Sequence, residues 1–241
     1  MASTRAKRAN GFTIVELLIV IVVIAILAAA AVVAFRGIQN RAQQSSLQSE
    51  VSSAMKKLEL HRAVNSVYPM AIDDCPTPAA TNICLELASG KTHSYQSNAQ
   101  GGGSPSINVV PSYHLTVFGD NFFAFSSSAE KTSSNEFVQY ADLAPIIDRY
   151  GLKRYQLTFD IKSANTATAS SVNVYFQNGS TARYGGLSVP VSVTTEYSRK
   201  TITFTASMQN SGVAQSLLAF YGTYGTGNIA TIKNLQFQIA P

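Results

Sequence analysis

The sequence is poor in charge and contains no tryptophan. Charged residues make up 13% of the 241 residues, against about 25% in an average soluble domain. Serine, threonine, asparagine and glycine are plentiful instead. A surface of this kind is typical of a secreted, β-rich protein and does not suit a cytosolic enzyme.

Residues that could carry catalysis are also scarce. The chain has three histidines, His61, His93 and His114, and they are far apart in the sequence. It has no phosphate-binding Gly-x-x-x-x-Gly-Lys segment and no serine or cysteine nucleophile motif. Asp73-Asp74 is most simply a solvated turn. We therefore predict that the protein is not an enzyme, and we find no catalytic residue and no cofactor-binding motif.

The chain has only two cysteines, Cys75 and Cys84, nine residues apart. Two thiols without nearby histidines cannot complete the four-ligand shell of a structural zinc ion. An even pair of cysteines in an exported protein indicates a disulfide bond instead. Closing so short a loop would stabilise the fold by about 2–3 kcal/mol in the chain-entropy model.

What the sequence does contain is a long apolar run near its start. A short basic leader ends at Gly11, and the residues from Leu17 to Phe35 include no charge. About 20 apolar residues span the hydrocarbon core of a membrane, so this run predicts a membrane-spanning helix. One acidic residue, Glu16, directly precedes this run. Burying a carboxylate in the membrane costs about 2.5–3.5 kcal/mol, so we expect Glu16 to have a partner.

Two simpler interpretations compete for this segment. An ordinary secretory signal has an apolar region of about 7–15 residues, which is shorter than this run. A plain single-pass anchor has a suitable length, but it explains neither Glu16 nor the Gly11-Phe12-Thr13 junction.

Basic residues indicate the orientation of the span. Arg5, Lys7 and Arg8 precede it, and Arg36 and Arg41 are the only cations soon after it. By the positive-inside rule, the N-terminus lies in the cytoplasm and the bulk of the chain lies outside. Because three leader cations contribute to the formal charge of +5, the chain from residue 12 onward carries only +2.

This N-terminal arrangement resembles the class III signal sequence of type IV prepilins and pseudopilins. The resemblance covers about the first sixty residues and rests on the basic leader, Gly11, Phe12 and Glu16. It implies that a prepilin peptidase cuts after Gly11 and methylates Phe12, the new N-terminus. It also implies that Glu16 pairs with the terminal ammonium of a neighbouring subunit, because opposite charges in a low-dielectric bundle neutralise each other only in register.

The same resemblance implies partners and a location. The partners would be other pilin subunits in a homo- or hetero-polymer, the prepilin peptidase, the pilus assembly platform and the membrane. The precursor would be a single-pass membrane protein with a cytoplasmic leader. The mature form would lie in an extracellular pilus or cell-surface filament.

Sequence patterns divide the chain into a leader (1–11), a long N-terminal helix (12–66), a connector that holds the cysteines (67–111) and a head (112–241). Within the helix, residues 14–35 are expected to cross the membrane and residues 36–66 to be amphipathic. The amphipathic part has an apolar stripe at the spacing of one helical face: Leu47, Val51, Ala54 and Leu58.

In the head, apolar residues alternate with polar ones, and clusters of glycine, asparagine and serine separate the runs. Clear examples are Tyr155–Ile161, Val172–Phe176 and Leu235–Ile239. Alternation of this kind predicts short strands with one buried face. The sequence therefore predicts an α+β fold, in which the long N-terminal helix is followed by an antiparallel β-sandwich.

The head also resembles a carbohydrate-binding module of the galactose-binding-like jelly-roll class. The matching runs are Tyr155–Lys162, Val193–Thr205 and Ile229–Ile239. Members often carry tryptophan where Tyr197 lies, and an acid near the start of the last strand that helps to hold a structural calcium ion. This chain has Lys233 there, which argues against a bound calcium.

Two of the predicted strands carry side chains suited to sugar recognition. Opposite the apolar residues they present Asn173, Tyr175 and Gln177, and then Asn234, Gln236 and Gln238. Aromatic rings stack on sugar rings, and amides hydrogen-bond sugar hydroxyls. We take these residues as candidate glycan contacts, although any solvent-facing sheet is polar.

The sequence thus predicts a structural subunit of a type IV pilus-like surface filament, with a head for adhesion or surface contact that includes glycans. One alternative is a pseudopilin of a type II-like secretion system, whose head contacts partner proteins. Another is a DNA-uptake pilin, for which a basic stripe is expected. Arg149, Lys153 and Arg154 cluster, as do Arg199 and Lys200, but the small net charge disfavours DNA.

Overall fold

The computed structural model describes residues 13–88, 91–98, 112–132, 137–163, 170–177, 182–222 and 230–240. The chain divides into two compact units, Met1–Gln43 and Gln44–Pro241.

The first element is a long helix, α1 (Ile14–Asn65). No proline interrupts it, and Gly37 is its single glycine. Glu16 in the first turn and Arg62 in the last complement the helix dipole. The helix ends where Ser66 takes a positive φ of 63° and donates its backbone N–H to the Arg62 carbonyl at 2.7 Å. A left-handed residue of this kind commonly terminates a helix.

Among the described residues, the other elements are thirteen strands and one short helix, α2 (Ala144–Tyr150). The strands are β1 (Thr92–Ser97), β2 (Tyr113–Phe118), β3 (Phe123–Ser127), β4 (Lys131–Thr132), β5 (Phe137–Asp142), β6 (Arg154–Ser163), β7 (Ser170–Gln177), β8 (Tyr184–Gly185), β9 (Ser188–Val193), β10 (Ser198–Thr205), β11 (Ser207–Met208), β12 (Leu217–Tyr221) and β13 (Ala230–Ile239).

The strands form two main antiparallel sheets. The large sheet has the order β1-β2-β3-β13-β6-β10, with β4 also paired to β13, and the small sheet has the order β5-β12-β7-β9. β8 and β11 pair with each other. Strands that are distant in sequence lie side by side, as in jelly-roll sandwiches. The predicted α+β fold, a long helix followed by an antiparallel β-sandwich, is confirmed.

Aromatic residues dominate the core between the two sheets. The ring of Phe237 lies 5.2 Å from that of Phe123 and 5.1 Å from that of Tyr155, both within the large sheet. Phe159 meets Phe220 of the small sheet edge-on at 5.0 Å. Aromatic pairs in such geometries each contribute about 0.5–1.5 kcal/mol beyond their buried area. This cluster therefore joins the sheets into one head.

The other face of the large sheet packs against the second part of α1. The predicted apolar stripe of the helix is at most 5% exposed at every position: Leu47, Val51, Ala54 and Leu58. It shares a buried cluster with Tyr113, Leu115 and Val117 of β2. Burying one aliphatic side chain contributes about 1.5–3 kcal/mol, so the stripe is a main attachment of the helix to the head.

The segment between α1 and β2 contributes a strand to the large sheet. β1 lies within it and pairs with β2, from Thr92 opposite Phe118 to Ser97 opposite Tyr113. The strands therefore begin before residue 112, where the sequence alternation placed their start. Apolar alternation does not reveal β1, because its side chains are mostly polar.

The predicted disulfide between Cys75 and Cys84 is present. Asp73 pairs with Cys84 in an isolated β-bridge, and Lys57 of α1 donates a hydrogen bond to the Cys84 carbonyl at 3.4 Å. His61 places one ring nitrogen 3.1 Å from the Val67 carbonyl. Hydrogen bonds thus hold the disulfide loop against the C-terminal part of α1.

Candidate assembly motif and candidate glycan-contact faces

The assembly motif predicted at the N-terminus is only partly described. Gly11 and Phe12, the predicted processing and methylation residues, lie outside the described residues. Glu16 lies in the first turn of α1, where its Oε2 accepts hydrogen bonds from the Thr13 backbone N–H at 2.9 Å and from the Thr13 hydroxyl at 2.8 Å. The Glu16 N–H donates in return to the Thr13 hydroxyl at 3.2 Å.

This reciprocal pattern is a capping box, in which the residue before the helix and the third helical residue satisfy each other's backbone donors. The carboxylate of Glu16 therefore has partners within its own chain. The prediction of Glu16 as an isolated acid is therefore incomplete, because Thr13 is its partner. The Thr-x-x-Glu spacing before an apolar run was the signal that could have found it.

The first part of α1 exposes its apolar side chains in the isolated chain. Consecutive residues such as Leu17, Leu18 and Ile19 are each more than half exposed. By length and composition, α1 holds a stretch that is apolar enough to cross a membrane, and none of that stretch is buried. Apolar surface on all sides of a helix requires an apolar environment on all sides.

Three of the candidate glycan contacts lie on the outer face of the small sheet. Val172, Val174 and Phe176 of β7 point into the core, so Asn173, Tyr175 and Gln177 point away from it. We call these three residues the small-sheet face. Asn173 donates a hydrogen bond to the Ser188 hydroxyl on β9 at 3.4 Å. Burial, with the nearby Tyr221 as a lesser cause, raises the pKa of Tyr175, so its hydroxyl stays protonated near neutral pH.

The other candidate contacts lie on the large sheet. Gln238 accepts a hydrogen bond from Gln48 of α1 at 3.0 Å and donates one to Gln156 of β6 at 2.8 Å. Gln236 accepts a hydrogen bond from Arg199 of β10 at 3.0 Å. These side chains belong to the surface beside the helix.

Asn234 lies within an irregularity in the pairing of β13 with β6, has a positive φ of 52° and donates to Asp160 at 2.7 Å. The candidate residues therefore do not form one face. The β7 residues and the β13 residues occupy opposite outer surfaces of the sandwich. Alternation shows which side chains point away from the core, but it does not show to which sheet a strand belongs. Each set must therefore be judged on its own surroundings.

A cavity of about 430 Å³ opens beside Tyr175. Its lining includes Tyr175, Ser188, Gln209 and the pair Gly185-Gly186. The volume lies within the range of about 300–1,000 Å³ usual for small-ligand pockets. Gly186 has a positive φ of 92°, and a Cβ atom there would lie 2.0 Å from a backbone carbonyl oxygen, so only glycine fits. Ser188 lies opposite Tyr175 because β9 pairs with β7, and Gln209 follows β11, which pairs with β8. The sequence around Tyr175 therefore reveals neither residue.

The region of the doubtful calcium site holds a cation–π contact. The ammonium of Lys233 lies 3.8 Å from the centre of the Tyr197 ring, and that of Lys162 lies 4.6 Å from it. The nearby carboxylate of Asp160 is paired with Arg199 at 3.1 Å. Within the described residues, one group of closely spaced ligand types occurs, Cys75, Cys84 and Glu86. The disulfide occupies both sulfur atoms of that group.

The N-terminal residues match a known family motif. Residues 6–32 match the model of the prokaryotic N-terminal methylation motif, a range that includes Gly11, Phe12 and Glu16. The predicted resemblance to the class III signal of type IV pilins and pseudopilins is therefore confirmed for this segment. A comparison with curated proteins finds no match.

Part of the chain is similar to solved carbohydrate-binding modules. The BiXyn10A CBM1 domain in its apo form is 17% identical, with 48% of this chain and 74% of that chain covered and a TM-score of 0.31. The family 11 module from Clostridium thermocellum, in complex with a β-1,3-1,4-mixed-linked tetrasaccharide, is 12% identical, with 61% and 83% covered and a TM-score of 0.25. The CBM22-1 xylan-binding domain of Paenibacillus barcinonensis Xyn10C is 12% identical, with 63% and 86% covered and a TM-score of 0.27. Those ligands belong to those proteins, and the sandwich fold of this chain stands on its own strand pairing.

Proposed function

We propose that this chain is a structural subunit of a type IV pilus-like surface filament, with no catalytic role. It is made as a membrane-anchored precursor, cleaved after Gly11, methylated at Phe12 and assembled through α1, with the head facing outward. The observation that carries the proposal is the methylation motif joined to a helix whose apolar side chains are exposed on all sides. Such a helix can pass from lipid into a bundle of identical helices without meeting water.

Glu16 acts in this proposal as a registry residue. Its carboxylate accepts two hydrogen bonds from Thr13 of the same chain. These bonds lower the free-energy cost of holding a carboxylate near lipid before assembly. During assembly, the terminal ammonium of a neighbouring subunit offers a full opposite charge. An unpaired charge in a bundle costs several kcal/mol, so subunits out of register are disfavoured.

The head is proposed to contact glycans through the small-sheet face. A half-buried tyrosine, an adjacent cavity, and the hydroxyl of Ser188 and amide of Gln209 in its lining support this role. A ring for stacking beside a few polar groups is a usual arrangement in small-ligand sites. Gln236 and Gln238 are instead engaged with α1, β6 and β10, and are the weaker candidates.

The filament proposal is tested by mass spectrometry of the N-terminus of the protein. Filaments sheared from cells and the membrane fraction are analysed side by side. N-methylated Phe12 in the sheared material is the expected result. Processed protein confined to the membrane fraction would favour a secretion pseudopilin, and an intact leader in both fractions would contradict the proposal. A Gly11→Leu variant should leave unprocessed precursor in the membrane.

The registry role is tested with Glu16→Gln. Cleavage should continue, but the yield of sheared filaments should fall by about tenfold or more, since one ammonium per subunit would lack its partner. Glu86→Gln is the matched control, because Glu86 is an exposed acid of the connector, outside α1. Normal filament yield in Glu16→Gln would contradict the role.

The glycan role is tested on a glycan array with Tyr175→Ala. Removing an aromatic anchor should weaken binding by about tenfold or more. Gln236→Ala is the control for the opposite surface and should bind as the unchanged chain does. If Gln236→Ala loses binding and Tyr175→Ala keeps it, the site lies on the large sheet.

A further inference from the structure

The end of the head where α1 enters it is well defined. Gln44 is 8% exposed and donates a hydrogen bond to the Ile239 carbonyl at the end of β13, at 2.7 Å. A Cβ atom on Gly119, in the turn between β2 and β3, would lie 3.9 Å from the Leu47 side chain. The β2–β3 turn and the end of β13 therefore surround the start of the packed part of the helix. We call this region the entry end.

Three exposed cations lie at the entry end. Arg154 begins β6, and its carbonyl accepts a hydrogen bond from the Ala240 N–H at 2.9 Å, directly beyond Ile239. Lys153 precedes it. Arg149 lies in the last turn of α2, with its guanidinium 4.5 Å from the ring centre of Phe118, which adjoins the β2–β3 turn.

Within the described ranges, none of these three cations takes part in an ion pair. The four ion pairs among the described residues involve Arg62, Lys91, Arg183 and Arg199. Asp148 of α2 forms an ion pair with Arg183 at 3.0 Å, and Asp142 accepts a hydrogen bond from the Ala144 N–H at 3.1 Å. Asp120 in the β2–β3 turn is the remaining exposed carboxylate that the described residues place at this end. The surface is therefore positive.

An exposed apolar side chain lies between the cations. Gly151 ends α2 with a positive φ of 84°, and its N–H donates to the Ile147 carbonyl at 2.7 Å. The Tyr155 hydroxyl fixes the same turn by donating to the Gly151 carbonyl at 2.5 Å. The chain then presents Leu152, which is 53% exposed. A leucine flanked by lysine and arginine is the composition of segments that dip into a lipid headgroup layer.

Few residues connect the predicted membrane span to the packed part of α1. Gln44 lies nine positions after Phe35, the last residue of the predicted span. Nine helical residues extend about 14 Å, and an anionic lipid surface attracts cations within about one Debye length, roughly 8 Å at physiological salt. The entry end is thus the part of the head that lies closest along the chain to the predicted span.

We propose that the entry end, formed by Arg149, Leu152, Lys153 and Arg154, is a binding surface for anionic phospholipid headgroups, used while the subunit is stored in the membrane. The proposal rests on the membrane-anchored precursor of the proposed function. Lipid is favoured over DNA, because an exposed leucine gains nothing from a phosphate backbone but gains from insertion between headgroups. Release from this surface accompanies entry into the filament.

The experiment uses the full chain in lipid nanodiscs. An Asn121→Cys substitution in the β2–β3 turn provides the labelling site, because neither native cysteine is free. A fluorophore on this residue is quenched by a quencher attached to lipid headgroups. Discs of phosphatidylcholine alone are compared with discs in which about 30% of the lipid is phosphatidylglycerol, which is anionic.

The expected result is several-fold stronger quenching in the anionic discs. A variant with Arg149→Gln, Lys153→Gln and Arg154→Gln should reduce the quenching to the phosphatidylcholine level. Leu152→Ser alone should reduce it in part. The matched control is Arg199→Gln with Lys200→Gln, which removes cations elsewhere on the head and should leave the quenching unchanged. Thermal unfolding of each variant checks that the head remains folded.

Other outcomes distinguish failure of the lipid-binding proposal from failure of the proposed filament function. Equal quenching in both kinds of disc, with the chain inserted, would overturn the lipid surface and leave the filament function standing. A chain that does not insert would overturn both. If the triple variant loses binding of a short DNA duplex while lipid quenching is unaffected, the surface binds nucleic acid and the lipid proposal is wrong.

Discussion

The two parts of α1 differ in how their apolar residues are distributed and in what covers them. In the first part, adjacent apolar residues point in every direction, and Leu17, Val20 and Ile24 are each more than half exposed. In the second part, one apolar stripe is buried against β2, and most of the other positions are polar. The first part depends on lipid or on other helices for its surroundings. The apolar residues of the second part are covered by the head of the same chain.

The largest effect is expected where the stripe is most deeply buried. Leu58 is fully buried, and Leu58→Ala should lower the free energy of unfolding by about 2–5 kcal/mol, through lost burial and a cavity. Leu60 lies two residues further on and is 67% exposed. Leu60→Ala should change the free energy by less than about 0.5 kcal/mol. Urea unfolding of the full chain in detergent, followed by tyrosine circular dichroism, measures both. Equal effects would mean that the helix is not held by this stripe.

A second effect is expected at the C-terminal part of the helix, where the disulfide loop is fastened. Replacing Cys75 and Cys84 together by serine should lower the free energy of unfolding by about 2–3 kcal/mol, because the unfolded chain regains the freedom of the loop. Unfolding of the unchanged chain under reducing conditions should reproduce the loss. If reduction has no effect, the loop is held by its hydrogen bonds alone.

The boundary between the two parts is sharp enough to test. Gln44 is buried and bonded to the Ile239 carbonyl, whereas the preceding Gln43 is exposed. Gln44→Ala should cost about 1–3 kcal/mol in unfolding free energy, because a buried carbonyl loses its donor. Gln43→Ala should be nearly neutral. A similar cost for both would place the boundary earlier in the helix.

Much of this contrast could be read from the sequence, because helical periodicity is local. The unbroken run from Leu17 to Phe35 and the stripe through Leu47 and Leu58 each predict a structure without knowledge of the rest of the chain. The alternation in β6 and β13 predicted their buried residues for the same reason.

What the sequence could not supply is the pairing of distant segments. β1 was missed because pairing with β2, not its own composition, makes it a strand. Gln238 was grouped with Tyr175 because both point away from the core, yet β13 pairs with β3 and β6 while β7 pairs with β12 and β9. The cavity beside Tyr175 depends on Gln209, which is more than thirty residues further along the chain. Sites built by strand pairing need the structure.

The smallest effect is expected from pH, and it should arise in the head alone. The ring of His114 on β2 stacks against Phe125 with centres 6.1 Å apart. Burial, and then the charge of Lys131, lower the pKa of His114 in the folded head. Below the unfolded-state pKa of about 6.5, the unfolded chain binds the proton more readily, so stability is lost as the pH falls from there through the folded pKa. Unfolding measured between pH 7 and pH 5 should show this decline in the unchanged chain and a flatter profile in His114→Gln. An equally steep profile in the variant would assign the acid sensitivity to another group. If the decline in stability depends on His114, acid destabilisation arises in the head. The first part of α1 contains no histidine and should not contribute to it.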